Sequence, residues 1–242
     1  MDFSRRSYQK EFLDEDHIPF EDIRLNMEEL NTINTYLGGH RITLRGIQAL
    51  LKNDHSNGTN NSLKAPLFIC EIGCGGGDNL NAIDRWCTKK NIATKLLGID
   101  IRKECIDHAI RQAKGRNFRW IVSDYKNVDF GQKIPDIIFS SLFCHHFNES
   151  ELVGMMQWMQ RNSRKGFFIN DLHRHRLAYY SIKTLSSIFS KSYLVKNDAP
   201  ISVLRGFRKN EWQKILDEAG IYPYQIKWKW AFRWLISAGR QI

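Results

Sequence analysis

The sequence has no apolar run close to the roughly 20 residues a helix needs to cross a bilayer. A membrane-spanning chain is therefore not expected. Its start, Met1-Asp-Phe-Ser-Arg-Arg-Ser7, has no apolar segment of the secretory-signal kind, so a cytoplasmic location is expected. Cysteine is scarce. The five thiols are Cys70, Cys74, Cys87, Cys105 and Cys144, an odd number with no Cys-x-x-Cys pair. That argues against a disulfide framework and against a zinc knuckle. There is no internal repeat, no dense Lys/Arg block and no RNA-binding motif.

The 242 residues fit one domain with embellishments and can bury a large core. Charge is unevenly spread. Residues 1–150 hold 20 Lys+Arg against 20 Asp+Glu, and the rest holds 16 against 6, which accounts for the whole +10. Such an asymmetry fits an anionic surface or a plain solvated face equally well.

The chain is organised around Leu67-Phe-Ile-Cys-Glu-Ile-Gly-Cys-Gly-Gly-Gly-Asp78. Leu67 to Ile72 reads as a buried strand. Gly73, Gly75 and Gly77 then alternate, and glycine allows both positive φ and close approach of a ligand. Asn79 to Lys90 reads as a helix with Asp78 as its N-cap. Strand, glycine turn and helix open a nucleotide-binding βαβ unit. The dinucleotide fingerprint needs glycine at 78, where Asp stands. Pyrophosphate favours a positive helix end, which Glu71 and Asp78 oppose. The two acids instead suit a ligand with cationic groups. Cys70 and Cys74, beside the turn, read as small buried thiols.

Residues 1–52 read as helices, with Ile23, Met27, Leu30, Ile33 and Leu37 at helical spacing and a second amphipathic helix over 42–51. Gly38 is expected just past the end of the first. Asn53 to Lys64 reads as a flexible loop and the best internal boundary. Strands follow at 67–72, 95–100, 118–123, 135–140 and 166–170. Helices are expected at 103–114, 150–160 (capped by Ser150), 177–189 and 209–219, and a closing hairpin at 224–230 and 232–237. No element is assigned between Phe189 and Lys209. The result is an α/β sheet, mostly parallel.

Ligands of such sheets bind beyond the carboxyl ends of the strands. Asp100 follows the second strand and can accept two ribose hydroxyls, or simply cap a helix. Asp124-Tyr125 follows the third, where the acid can accept an amino group and the ring can lie against a base. Four histidines, His145, His146, His173 and His175, follow the fourth and fifth with Asp171. A base near neutral pH suits removal of a phenol or carbon-acid proton. A metal is the sharper reading of a His/Asp cluster, but the spacing is generic and no metal is expected. Trp228, Trp230, Phe232 and Trp234, interleaved with Lys227, Lys229 and Arg233, read as a strand pair with one buried and one basic face, or as a peripheral membrane contact.

In order, Glu71-Ile-Gly-Cys-Gly-Gly-Gly77, Gly98-Ile-Asp100, Ser123-Asp124, Pro135-Asp-Ile-Ile138 and Cys144-His-His-Phe147 resemble the motifs of class I S-adenosylmethionine-dependent methyltransferases. The His-His-Phe step resembles the small-molecule branch that includes the ubiquinone and menaquinone enzymes. More loosely, Asn34–His40, Asn170–Tyr179 and Ser202–Phe207 are similar to methyltransferases found with type III polyketide synthases. The resemblance implies a Rossmann-like seven-stranded sheet of order 3-2-1-4-5-7-6 with strand 7 antiparallel. It implies a helical prefix or lid with its loop (1–64) and a methyltransferase domain (65–242).

It also implies S-adenosylmethionine as cofactor and a phenolic or quinonoid acceptor, with or without a lipid tail. Carried over, Gly73, Gly75 and Gly77 cradle the methionine and ribose, with Glu71 near the ammonium. Asp100 holds the ribose, Asp124 the adenine, and Leu142 or Phe143 lines the sulfonium side, while Cys74, Asp78, Ile101 and Tyr125 are counted with the cofactor-binding residues. His145, His146, Asp171 and His173 face the acceptor, with His146 or His173 as the base, and Tyr36 and His40 close over the cofactor. The rival readings are an RNA or protein methyltransferase using the basic C-terminal third and a non-catalytic cofactor-binding protein. Ser140-Ser-Leu-Phe143 stands where amino-methylating enzymes carry D/N-P-P-Y/F/W, so nucleobase amines are disfavoured, and no nucleic-acid partner is expected.

Overall fold

The computed structural model describes residues 1–15, 17–55 and 65–240. Seven strands form one sheet: β1 (Leu67–Ile72), β2 (Thr94–Asp100), β3 (Arg119–Val122), β4 (Ile137–Ser141), β5 (Gly166–Leu172), β6 (Tyr224–Lys229) and β7 (Arg233–Gly239). Their order is β3-β2-β1-β4-β5-β7-β6. β3, β2, β1, β4 and β5 pair in parallel, and β7 runs antiparallel to both β5 and β6. The central strands are buried on both faces, which is why β1, β4 and β5 read as nearly unbroken apolar runs.

Alternate residues of each strand feed opposite layers. Ile138, Phe167 and Ile169 join a core with Met155, Met156 and Trp212, from helices α5 (Glu149–Asn162) and α8 (Lys209–Glu218). Ile137, Phe139 and Phe168 join a second core with Ile42, Ile47 and Leu50 of α2 (Gly39–His55) and Leu80 and Ile83 of α3 (Asp78–Lys89). Phe139 and Phe168 stack at 4.8 Å, and a Cβ on Gly46 would overlap the Phe168 ring. Glycine there lets α2 lie flat on the sheet. Helix α4 (Lys103–Ala113) follows β2 as expected.

Several boundaries differ from expectation. Helix α5 is capped by Asn148, which accepts from Glu151 N while Glu151 answers at Asn148 N, so Ser150 lies inside the helix. Residues 53–55 extend α2, and the rest of the expected loop lies outside the described residues. Helix α6 (Arg176–Phe189) is followed by an unexpected one, α7 (Tyr193–Arg205). The amphipathic helix α1 (Phe20–Tyr36) is present, but the described residues before it are not helical apart from a short turn at Phe12–Asp14. They form a strap across α7 and the end of β5.

Hydrogen bonds tie the strap down. The buried Arg174 donates to Phe3 O (3.0 Å), Ser4 O (3.3 Å) and Gly206 O (2.5 Å), and pairs with Glu211 at 2.7 Å. Arg6 donates to Arg205 O (3.0 Å) and Phe147 O (2.9 Å). The Asp198 carboxylate accepts from Phe12 N and Leu13 N. Replacing a buried, paired charge leaves its partners unanswered, at about 3–5 kcal/mol. Arg174→Met is expected to destabilise the protein by about that amount in urea unfolding. Tryptic cleavage at Arg5, Arg6 and Lys10 should accelerate at least tenfold under native conditions, before sites elsewhere are cut.

Candidate active site

The turn after β1 sets the site. Gly73, Gly75 and Gly77 have φ of +64°, +49° and +73°, a left-handed conformation at every second residue. A Cβ on Gly73 would overlap the Phe143 ring, and one on Gly77 the Trp120 ring. Gly77 takes the N-cap position of α3, so Asp78 is its first helical residue, not its cap as expected. The Asp78 carboxylate is engaged elsewhere. It accepts from Asn34 Nδ2 at 3.2 Å and lies 3.7 Å from His40 Nε2.

The turn and the next strand lock together through Asp100. Its Oδ2 accepts from Gly75 N at 2.8 Å and its Oδ1 from Arg102 N at 2.9 Å. Glu71 is buried at the base of the turn. One oxygen accepts from Asn79 Nδ2 at 2.9 Å, and the other, Oε2, is buried with no hydrogen-bond partner among the described residues. Burial, and then the Asp78 charge, drives the Glu71 carboxyl well above its ordinary range. Burial also raises Asp100. An unanswered acceptor in a sink of negative charge fits a cationic donor.

These groups open onto a cavity of ≈ 970 Å³, at the upper end of the usual range of about 300–1,000 Å³ for small-molecule sites. Glu71, Gly73, Cys74, Gly75, Asp78, Asp100, Ile101, Leu142, Phe143, His145 and His146 all line it. So do Met27, Leu30, Ile33 and Leu37, whose helical spacing the sequence displays. Much of the apolar face of α1 therefore covers the cavity. Helix α7 adds Val195, Asp198 and Ser202.

Several expected members stand apart, and neither they nor Gly77 and Asp171 are among the described lining residues of the cavity. Tyr125 turns inward on a short turn, Tyr125–Asn127, and packs edge-on against Trp158 at 5.1 Å, so its ring is part of the core. Asp124 caps that turn through Lys126 N and is not among the described lining residues. Tyr36 is 82% exposed and is not among the described lining residues. His40 instead braces the turn, with Nδ1 3.2 Å from Asn79 Oδ1.

His173 stands apart as well. Strand β5 runs on to Leu172, which buries Asp171 inside the sheet and carries His173 past the cavity. His173 N donates to Phe232 O, the residue bridges to Phe207, and its ring packs on Trp234 at 4.9 Å. It is not among the described residues that line the cavity. Burial, reinforced by His175, brings its pKa down to about 4.

The remaining histidines converge with an acid that sequence spacing does not reveal. His145 Nδ1 lies 2.8 Å from Asp171 Oδ1, and its Nε2 3.6 Å from Glu11 Oε1. His146 Nδ1 lies 3.0 Å from Asp14 Oδ1, and its Nε2 3.8 Å from Glu11 Oε2. Arg205 pairs with Asp14 at 2.8 Å, and Ser202 Oγ donates to Glu11 Oε1 at 2.8 Å. Burial raises Glu11. Burial also pushes Asp171 up, but the His145 charge and hydrogen bond outweigh it and leave the carboxyl below its ordinary value. Arg233, unassigned by its position in the sequence beyond the basic hairpin face, is buried on the cavity wall with Nη2 on Asn34 Oδ1, and burial lowers it to about 10. On the hairpin itself the expected alternation fails at Trp228, which is exposed while Lys229 is half-buried.

The lowered His173 has a direct consequence for stability. Its folded pKa lies below the unfolded value of 6.5, so the unfolded chain takes the proton first. Its contribution is full above about pH 6.5 and is lost as pH falls towards 4. Allowing for partial solvent screening, that is about 1–2 kcal/mol. In urea titrations at pH 7, 5 and 4, His173→Phe should lose less stability than wild type by about this amount. Parallel losses would contradict the assignment.

Residues 69–166 match the domain family described as "Methyltransferase domain". A search of curated proteins gives no match. Among solved structures, the plantazolicin methyltransferase BpumL with SAH aligns over 74% of this chain and 78% of its own, at 19% identity and TM-score 0.57. Magnesium protoporphyrin IX methyltransferase (ChlM) from Synechocystis PCC 6803 with SAH aligns over 94% and 90%, at 16% identity and TM-score 0.52. A SAM-dependent methyltransferase from Aquifex aeolicus aligns over 74% and 85%, at 16% identity and TM-score 0.54. Residues 69–166 are thus similar to a methyltransferase domain, and the sheet order is that of the class I S-adenosylmethionine-dependent methyltransferase fold.

Proposed function

We propose that the chain binds S-adenosylmethionine across the tips of β1, β2 and β4 and methylates a small phenolic or quinonoid acceptor. The observation that carries this reading is Glu71 Oε2, a buried acceptor without a partner beside a left-handed glycine turn. It fits the cofactor's ammonium group. Asp100 suits the ribose, because each of its oxygens holds one backbone N–H and keeps capacity for a hydroxyl. Leu142 and Phe143 are placed for the sulfonium side. The bound cofactor supplies an electrophilic methyl group on a positively charged sulfur.

The chain's own task is alignment and proton removal. Helix α1, α7 and the strap exclude water and hold the acceptor in line, where near-attack placement at about 3 Å supplies much of the rate. His145, backed by Asp171, takes the acceptor proton on its Nε2. His146 stands beside it as the alternative base, and His173 is replaced in that role by His145. With label supplied as [methyl-14C]S-adenosylmethionine, transfer to members of a phenol and hydroquinone panel is expected. His145→Ala and Asp171→Asn should lower kcat about 10²- to 10⁴-fold while cofactor KM moves less than threefold. Unchanged kcat in both, and in His146→Ala, would contradict the base assignment.

One further observation favours an acceptor with a lipid tail. Leu177, Tyr180, Ile188 and Phe189 (76% exposed) on α6, with Trp228 and Trp230 (70% exposed) on the hairpin, are solvent-facing apolar residues on the two elements that flank the cavity. Lys183 and Lys227 stand among them. An apolar rim studded with cations suits an anionic bilayer surface. Flotation with acidic vesicles should carry the protein, and Ile188→Ser/Phe189→Ser/Trp230→Ser should cut the floated fraction at least fivefold. Absence of wild-type flotation with both acidic and neutral vesicles would rule out this contact.

A further inference from the structure

Glu11, His145 and His146 meet on the cavity wall in an arrangement that proton removal alone does not need. Their ligand atoms all lie within 4.8 Å of one another. The Nε2 atoms of His145 and His146 stand 3.6 and 3.8 Å from the two oxygens of Glu11. Two donors bound to one ion at about 2.1 Å each sit roughly 3.0–3.4 Å apart, so the two histidine–Glu11 separations exceed a bound pair by less than about 0.8 Å.

The far side of each ring carries the second observation. His145 Nδ1 is held by Asp171 at 2.8 Å and His146 Nδ1 by Asp14 at 3.0 Å. A carboxylate on the other nitrogen fixes the tautomer and turns the Nε2 lone pair towards the partner, and it raises the ligand's basicity. This is the usual backing of a metal-bound histidine. Three carboxylates, Glu11, Asp14 and Asp171, face the two imidazoles, with Arg205 within ion-pair distance of Glu11 and Asp14 and the Arg6 and Arg233 charges acting on Asp171.

We propose that Glu11, His145 and His146 form a two-histidine, one-carboxylate site for a divalent transition ion of the Mn-to-Zn series. Imidazole with carboxylate suits these ions better than the all-oxygen sets of Mg²⁺ and Ca²⁺. The remaining positions open to the cavity, since all three ligands line it. Resting on the methyl-transfer reading, an acceptor hydroxyl bound at one of them would be acidified by the ion and lose its proton to water, and the base role of His145 Nε2 then belongs to the metal-free chain. The metal site itself is read without any acceptor.

The test uses the full chain, stripped with EDTA, dialysed and titrated with Co²⁺ alone, followed by its visible absorption, and with Zn²⁺ alone by calorimetry. One ion per chain with Kd in the micromolar range or tighter is expected. Glu11→Gln, His145→Ala and His146→Ala should each weaken binding at least 30-fold. Asp14→Asn should weaken it about 10-fold or more, while exposed His17→Ala leaves it unchanged. No absorption band and no heat, or binding undiminished in the three ligand variants, overturns the proposal. S-adenosylhomocysteine titrated into the same samples checks folding and reads the cofactor site separately. Heat there without metal binding overturns the metal site and leaves the methyl-transfer reading standing. Metal binding without that heat does the opposite.

Discussion

One contact fixes the geometry on which the rest of the site depends: the Gly75 N–H on the Asp100 carboxylate, made through a turn in which every second residue is left-handed. The bond joins the tips of β1 and β2 and holds the turn open. A side chain at Gly73 or Gly77 would collide with Phe143 or Trp120. Because the turn is held from β2, the Glu71 side chain at its base is free to be buried with one oxygen unanswered. Ordinarily such a group costs about 1–3 kcal/mol. Its persistence on the wall of a large cavity is the physical signature of a binding site.

The second organising feature is the strap. Residues 1–15 carry little secondary structure, yet they are anchored by Arg174, Arg6 and Asp198. They deliver Glu11 and Asp14 to the two histidines that follow β4. The acids at the strand tips and the acids of the strap thus serve different ends of one cavity. The first group is poised for a cationic ligand. The second orients the imidazoles.

Much of this was legible in the chain. Strand positions fall within two residues of expectation because the buried parallel strands are continuous apolar runs bounded by turn residues. Glu71, the glycines and Asp100 lie where strand-tip logic puts them. What was not legible has physical causes. Helix α7 is buried on most sides and contains Pro200, so it shows no polar stripe and reads as no element. Asp171 and His173, both expected to face the acceptor, are not among the described lining residues of the cavity, because β5 runs two residues further than its apolar run. Tyr125 follows a strand tip but is drawn into the Trp158 cluster by a tight turn. Glu11 sits 134 residues from His145 on an irregular segment, where no periodicity can announce a partner.

The central claim is that the turn after β1 holds a cationic nucleoside with Glu71 as its counter-charge. Calorimetric titration of the folded chain with S-adenosylhomocysteine, which retains the ammonium and ribose, tests it most directly. The account predicts one site per chain and a loss of at least tenfold in affinity for Glu71→Gln. No heat from well-folded wild type, or equal affinity in that variant, would contradict it.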